Sequence, residues 1–316
     1  MKPINANGYK ILFDKEGYSK LNEFLEEGKY SSLFLLVDNN TNTFCAKKFL
    51  SNLSFDIPIE IIEIDSEEMG SESLKNITTC TEIWSILTEF GADRKSLLIN
   101  LGGGVITDIG GFVASTFKRG IDFIHVPTTL LGMVDAAIGG KNGVDLGNLK
   151  NQIGVINAPN LLLIDTDFLT TLPQREMRSG LAEMLKHGLM FDANYWSQFL
   201  NLKELNFTDL DRLIYRSVEI KNEIVKKDPT ENGIRKALNF GHTLGHAIES
   251  HFLETSNPLL HGEAIAVGMV LESYLSKEKN LLTTENYRQI KQTIKSIFDP
   301  ISFSQVDIEN ILNLLI

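Results

Sequence analysis

Short apolar runs and longer helical stretches divide this chain into two textures. Residues 32–37 (SLFLLV), 96–100, 121–126 and 161–165 are compact apolar runs bounded by charge, glycine or proline, and they predict buried strands. Residues 58–64, PIEIIEI, alternate and predict another strand. Residues 81–91 read as a helix with a glycine stop, and 105–118, without proline and rich in apolar residues, as a buried helix. Strands alternating with helices predict a mainly parallel sheet covered on both faces. After Pro173 glycine becomes rarer and strand-like runs vanish. Helical stretches over 176–190, 208–227, 236–252, 262–279 and 284–297 take over. The pattern predicts an α/β domain over 1–172 and an all-α domain over 173–316.

The strand over 96–100 runs directly into Gly102, Gly103 and Gly104, and a helix follows. Such a turn brings backbone N–H groups and a helix N-terminus up to an anion, and a β-carbon would block the approach. The spacing is not the G-x-G-x-x-G fingerprint, because Thr107 stands where the last glycine would be. It marks a turn suited to phosphate and no more. Beyond the next strand come Thr128, Thr129, Asp135, Gly139, Gly140, Lys141, Lys150 and Asn151. Acids, amides and lysines alternating with glycine pairs predict a loop-built polar pocket. Asp38 ends its strand where a carboxylate can meet a ribose, or simply a solvated turn. Glu72 and Lys75, three apart, would share a helical face.

With 316 residues there is room for two domains of ordinary size. The formal net charge of -11 argues against non-specific nucleic-acid binding, which needs a basic face. An anionic ligand would therefore need positive charge gathered locally, and Lys118, Arg119, Lys141, Lys150, Lys186, Lys221 and Arg235 are candidates. Cys45 and Cys80 are too few and too far apart for a disulfide framework or a cysteine metal site, so a reducing cytoplasm is expected. The start MKPINANGYK lacks a signal-peptide core, and no apolar run is long enough for a membrane span.

The second texture carries four of the six histidines between 242 and 261. His242 and His246 have i, i+4 spacing and would face one way on a helix. Two histidines and a carboxylate with an open position make a common catalytic zinc site. From spacing alone, His242 and His246 would be ligands, with Glu249 or Glu263 third. Glu183, Lys186 and His187 form one helical face among apolar neighbours, where an unpaired charge is costly and a metal would relieve it. Lys221, in IKNEIVKK, reads by itself as a solvated lysine.

The strings GGGVITDIGGFVASTFKRG, VPTTLLGMVDAAIGGKNGVD, KNQIG, SGLAEMLKHGL, IRKALNFGHTLGHAIE and HGEAIAVGM closely resemble the 3-dehydroquinate synthase family. The resemblance runs from roughly Asp38 to Met269 and is dense from residue 100 onward. It implies a Rossmann-like nucleotide-binding domain followed by a helical metal-binding domain. It also implies an NAD- and zinc-dependent cyclase of the shikimate pathway, with cobalt as a possible substitute metal. That activity converts 3-deoxy-D-arabino-heptulosonate 7-phosphate to 3-dehydroquinate and phosphate. The steps are transient oxidation, phosphate elimination, reduction and aldol closure. By resemblance Glu183, His242 and His261 are the zinc ligands, and His246 moves to the phosphate with Lys141 and Asn151. Lys186, Lys221, Arg235 and Asn239 would hold the substrate, and Asp135 would order a hydroxyl or water. Asp38, Glu72, Lys75, Gly103, Gly104, Asp108, Thr128, Thr129 and Lys150 would hold NAD. Ser71 departs from the family's usual glycine before Glu72. The match to Arg119 reaches a neighbouring subunit's site, which implies a homodimer. Family members usually continue past Ile316 with a segment that supplies one more lysine to the phosphate, so a truncated chain is expected. A sister sugar phosphate cyclase, a polyol dehydrogenase of similar plan and a silent binding protein are the other readings.

Overall fold

The apolar runs of the first part become strands of one seven-stranded sheet. In the computed structural model these are β1 (Ile4–Asn5), β2 (Lys10–Phe13), β3 (Leu33–Asp38), β4 (Ile59–Ile64), β5 (Leu97–Gly102) and β6 (Asp122–Pro127). The hairpin strands β7 (Lys141–Leu146) and β8 (Leu149–Ile156) follow, and β9 (Leu161–Ile164) completes the sheet. The structure describes residues 1–54, 57–65, 71–147, 149–200, 207–253, 255 and 257–315. It falls into two units, Met1–Leu172 and Pro173–Ile316.

The sheet order is β1-β2-β9-β6-β5-β3-β4, with only the β1–β2 pair antiparallel. Every residue of β3 and β5 is buried, as expected for parallel strands covered on both faces. From β3 the chain steps outward to β4, then returns to the other side of β3 as β5 and continues outward to β6. The order therefore reverses between β3 and β5. Ligands of open α/β sheets bind beyond the carboxyl ends of the strands at such a reversal. Asp38 and Gly102 end those two strands.

Two helices cover this part of the sheet. Ile77–Glu89 starts at Asn76, whose side chain accepts from Thr79 N at 3.0 Å, and stops before Gly91 at φ 73°. Gly104–Thr116 buries Ile106, Ile109, Phe112 and Val113 against Phe34, Leu98 and Phe123.

The expected loop-built pocket is corrected by the structure: residues 141–156 are mostly the antiparallel β7–β8 hairpin, with a bulge between Val144 and Leu146. Lys141 pairs with Ile156 at the open end, and Asn151 lies toward the turn. The pair β1–β2 and the helix Asp14–Gly28 were not expected. Lys75 lies just beyond the single 3-10 turn Ser71–Leu74, so it shares no α-helical face with Glu72, whose side chain lies outside the described residues.

The second unit is helical: Gln174–Phe191, Phe207–Lys227, His242–Leu253, His261–Glu278, Thr284–Lys295 and Gln305–Asn313. Glycines let three of these helices touch backbone to backbone. A β-carbon on Gly262 would overlap the Ser179 backbone, one on Gly268 the Gly241 carbonyl, and one on Gly245 would lie 2.7 Å from Ile265. The continuous helix expected over 236–252 is broken. A 3-10 helix, Ile234–Asn239, ends at Phe240, and Gly241 takes φ 81° before the next helix begins. Among the described residues no helix is long and apolar enough to cross a membrane.

Candidate functional site

In the first unit the glycine turn leaves a helix N-terminus uncapped. Gly103 is the extended residue before Gly104–Thr116, and no side chain caps that end. A β-carbon on Gly103 would sit 3.0 Å from Thr129 Cγ2, and one on Gly104 3.2 Å from Ala136 Cβ. The turn is held by Thr128 N donating to Gly102 O at 3.0 Å and by Thr107 Oγ1 donating to Gly104 O at 3.0 Å. Thr129 Oγ1 accepts from Gly132 N at 3.1 Å, which begins the short helical turn bearing Asp135. The N–H groups of such an end carry partial positive charge toward an anion.

Near the start of this helix the structure pairs two predicted residues. Lys75 and Asp108, both expected at the nucleotide, form an ion pair at 2.6 Å with Lys75 only 7% exposed. Asp38 is buried and closes a capping box, accepting from Thr41 N at 2.7 Å and from Thr41 Oγ1 at 3.0 Å. Its carboxylate thus has a structural task of its own. Asn151 takes φ 54°, and its N–H donates to Asp145 Oδ1 at 2.6 Å. Lys118, Arg119 and Gly120 all have positive φ, 48°, 71° and 111°, so the exposed Arg119 is presented on a strained turn.

In the second unit the His242, His246 and His261 rings cluster, with centroids 5.1 to 5.7 Å apart. Glu183, fully buried on Gln174–Phe191, faces them. Its Oε1 lies 3.5 Å from His242 Nε2 and 3.5 Å from His261 Nε2. Lys186, 1% exposed and one turn on, pairs with Glu183 Oε2. Each imidazole is oriented through its other nitrogen. His242 Nδ1 is 3.2 Å from Phe240 O, and His261 Nδ1 is 3.3 Å from Glu249 Oε2. The breaks at Gly241 and before His261 put both histidines at the first residue of a helix. Glu272 accepts from Gly241 N at 2.7 Å and so fixes the first of these starts.

The electrostatics differ between the two rings. Burial, then the Lys186 charge, holds His242 neutral, near a pKa of about 3. Burial also opposes charge on His261, but Glu249 and Glu183 outweigh it and raise that ring to about 10. The two carboxylates that spacing alone offered have other partners. Glu263 is spent on Arg175, at 2.6 and 2.8 Å, and on Leu260 N. Glu249 stands behind His261 rather than beside Glu183.

Lys221 is 6% exposed, which overturns the solvated reading of its helix. Arg235 is 2% exposed, and its Nη1 donates to Pro229 O at 2.7 Å. Asp228 shapes that loop by accepting from the N–H groups of Asn232, Gly233 and Arg235. Asn239 is exposed and donates to Glu231 Oε1 at 3.0 Å. His187 is fully buried against Ser217 Oγ at 2.7 Å.

Two family models cover most of the chain: 3-dehydroquinate synthase N-terminal over residues 67–179 and 3-dehydroquinate synthase C-terminal over 180–316. Among curated proteins, the chain is 43% identical over 309 residues to a 3-dehydroquinate synthase of Parabacteroides distasonis, spanning 97% of this chain and 86% of that one. It is 34% identical over 328 residues to one of Prochlorococcus marinus, spanning 99% and 87%. Among solved structures, 2-deoxy-scyllo-inosose synthase with carbaglucose-6-phosphate, NAD+ and Co2+ superposes with a TM-score of 0.83 at 23% identity, over 99% of this chain and 88% of that one. The 2-epi-5-epi-valiolone synthase of Streptomyces hygroscopicus with NAD+ and Zn2+ superposes at 0.78 with 26% identity, over 99% and 88%. The chain belongs to the 3-dehydroquinate synthase family.

Proposed function

We propose that this chain is an NAD- and metal-dependent carbon–oxygen lyase that converts 3-deoxy-D-arabino-heptulosonate 7-phosphate to 3-dehydroquinate and phosphate. The observation that carries the reading is Glu183 Oε1 lying 3.5 Å from the Nε2 atoms of both His242 and His261. Donors about 2.0–2.1 Å from one tetrahedral zinc are separated by roughly 3.3–3.4 Å. These two separations fit a zinc- or cobalt-sized ion, and both rings already have Nδ1 engaged, as bound histidines do. When bound, such an ion would polarise substrate hydroxyls as a Lewis acid.

NAD, which supplies a transient hydride acceptor, would be held by Gly103, Gly104, Thr128, Thr129 and Lys150. Lys75, presented by Asp108, and Asp38 complete that set, with Glu72 proposed from sequence alone. Arg235 suits the substrate carboxylate, because its planar fork can bond both oxygens and Pro229 O already fixes the fork. Lys221 and Asn239 would take hydroxyls, with Asn239 exchanging Glu231 for substrate. Lys186 is a buried cation beside Glu183, suited to stabilise negative charge developing on oxygen. Lys141, Asn151 and His246 would bind the leaving phosphate, and the phosphate oxygen itself can take the proton. Asp135 would order a hydroxyl or water near the cofactor. Arg119 on its strained turn is proposed to serve a neighbouring subunit of a homodimer. Both cysteines are free and buried, which suits a reducing cytoplasm.

Phosphate release from the heptulosonate phosphate, with and without a chelator, tests this function. Release that stops with chelator and returns with zinc or cobalt is expected. Release indifferent to chelation, or none with metal and NAD supplied, contradicts it.

A second expectation concerns Glu249. Glu249→Gln should weaken metal affinity by about 10–100-fold, the usual effect of losing an outer partner. NAD affinity should stay unchanged. Chelator competition reads the first and titration the second. Unaltered metal affinity would show that Glu249 does not orient His261.

A further inference from the structure

Three polar side chains lie deep in the first unit and have no task in the reaction proposed above. Asn100 on β5 is 0% exposed, His125 on β6 2% and Asn142 on β7 4%. Asn100 Nδ2 lies 3.2 Å from His125 Nδ1. Asn142 lies beside the same imidazole, close enough for its side chain to favour charge there. It also donates through Nδ2 to Gly140 O at 3.1 Å and Asn157 O at 2.7 Å. With its amide hydrogens on two carbonyls, Asn142 has only its carbonyl oxygen to offer the ring. The neutral ring accepts from Asn100 at Nδ1, which leaves Nε2 carrying its N–H. Burial holds the imidazole neutral, near a pKa of about 3, as that arrangement requires.

The helix Gly104–Thr116 is shaped around this chain of groups. A β-carbon on Gly110 would overlap the carboxamide of Asn100, and one on Gly111 that of Asn142. Asn142 on the β7 hairpin is nearly as buried as the other two. Apolar side chains would fill the covered strands β5 and β6 without the cost of burying polar groups, so packing alone does not call for Asn100 and His125. Their positions do. Asn100 stands two residues before Gly102, His125 three before Thr128, and Asn142 directly after Lys141 while holding Gly140.

We infer that Asn100, His125 and Asn142 form a positioning relay that locks the glycine turn, the Thr128 and Thr129 segment and the Lys141 hairpin into one register for cofactor and phosphate. This rests on the reading that those three segments hold NAD and phosphate. None of the relay residues touches substrate; each acts through the segment beside it.

His125→Phe keeps a ring of similar size and removes the hydrogen bond to Asn100 and the ring N–H. In the metal-loaded full chain, kcat/KM for phosphate release should fall on the order of tenfold to a hundredfold, the scale of a small misplacement. NAD Kd should rise with it, and His125→Gln, which can both donate and accept, should restore most of the loss. Asn142→Ser frees only the hairpin end. It should raise KM for the sugar phosphate by more than it raises NAD Kd, because Lys141 adjoins Asn142 whereas Lys150 lies toward the far end of the hairpin, and it carries the test if His125→Phe does not fold. A merely structural role would lower the melting temperature and leave KM and NAD Kd of the folded variants at wild-type values, which would overturn the relay. Failure of the wild-type chain to bind NAD would sink the cofactor reading and the relay together. Wild-type binding with unaltered variants sinks the relay alone.

Discussion

His242→Ala is expected to lose stoichiometric metal and nearly all phosphate release. His242 Nε2 is one of two imidazole nitrogens that face Glu183 Oε1 at 3.5 Å, and Phe240 O holds its ring in that orientation. Alanine removes one of three protein donors, so the loss should exceed the ~10–100-fold that follows from losing an outer partner. It also leaves the buried Glu183 and Lys186 facing a cavity, so the variant should melt somewhat lower. His246→Ala separates the two ligand sets that the sequence allows. If Glu183, His242 and His261 are the ligands, His246→Ala keeps its metal and loses activity through the phosphate. Metal analysis of both purified variants checks this. Full metal in His242→Ala, or none in His246→Ala, would reverse the assignment.

Gly104→Val should abolish NAD binding while leaving the sheet folded. Gly104 is the first residue of the helix behind β5, and a β-carbon there needs Ala136 to give by only a few tenths of an ångström. The added methyls instead crowd the helix end where backbone N–H groups would meet the pyrophosphate. Each hydrogen bond to a charged group contributes about 1.5–3 kcal/mol. Losing two amounts to about 3 kcal/mol or more, a weakening of roughly a hundredfold at least. Titration with NAD, alongside circular dichroism, reads both parts. A folded variant with wild-type affinity would remove the glycine turn from the cofactor site.

The parts legible in the sequence are those whose cause is local. The strand, glycine turn and helix from Leu97 to Thr116 are written in consecutive residues. The helix Asp14–Gly28 was missed although its signal is local: Tyr18, Leu21 and Leu25 recur at helical spacing and are buried. The β7–β8 hairpin was hidden because KNGVDL is rich in residues that strands disfavour. Its register comes from cross-strand backbone pairing and from Asn142, neither visible in a window. The break at Gly241 has the same character. The helical pattern over 236–252 is continuous, but Glu272 and Gly268, far along the chain, fix the turn. At the metal centre, spacing found the histidines and the buried face of Glu183. It could not rank the carboxylates, because Glu249 and Glu183 meet His261 from two different helices. The resemblance to the family puts Glu183 first, and that is the ranking proposed above. The buried Lys221 shows the opposite error: a basic helix reads as solvated when the helices covering it are not yet known.

The most direct measurement follows phosphate release and nicotinamide absorbance together, with NAD well below the sugar phosphate. The account predicts many phosphates released per NAD, with no build-up of NADH, because the oxidation is reversed within each turnover. NADH accumulating in step with substrate consumed, or release that ends after one phosphate per NAD, would contradict it and point to a dehydrogenase on the same fold.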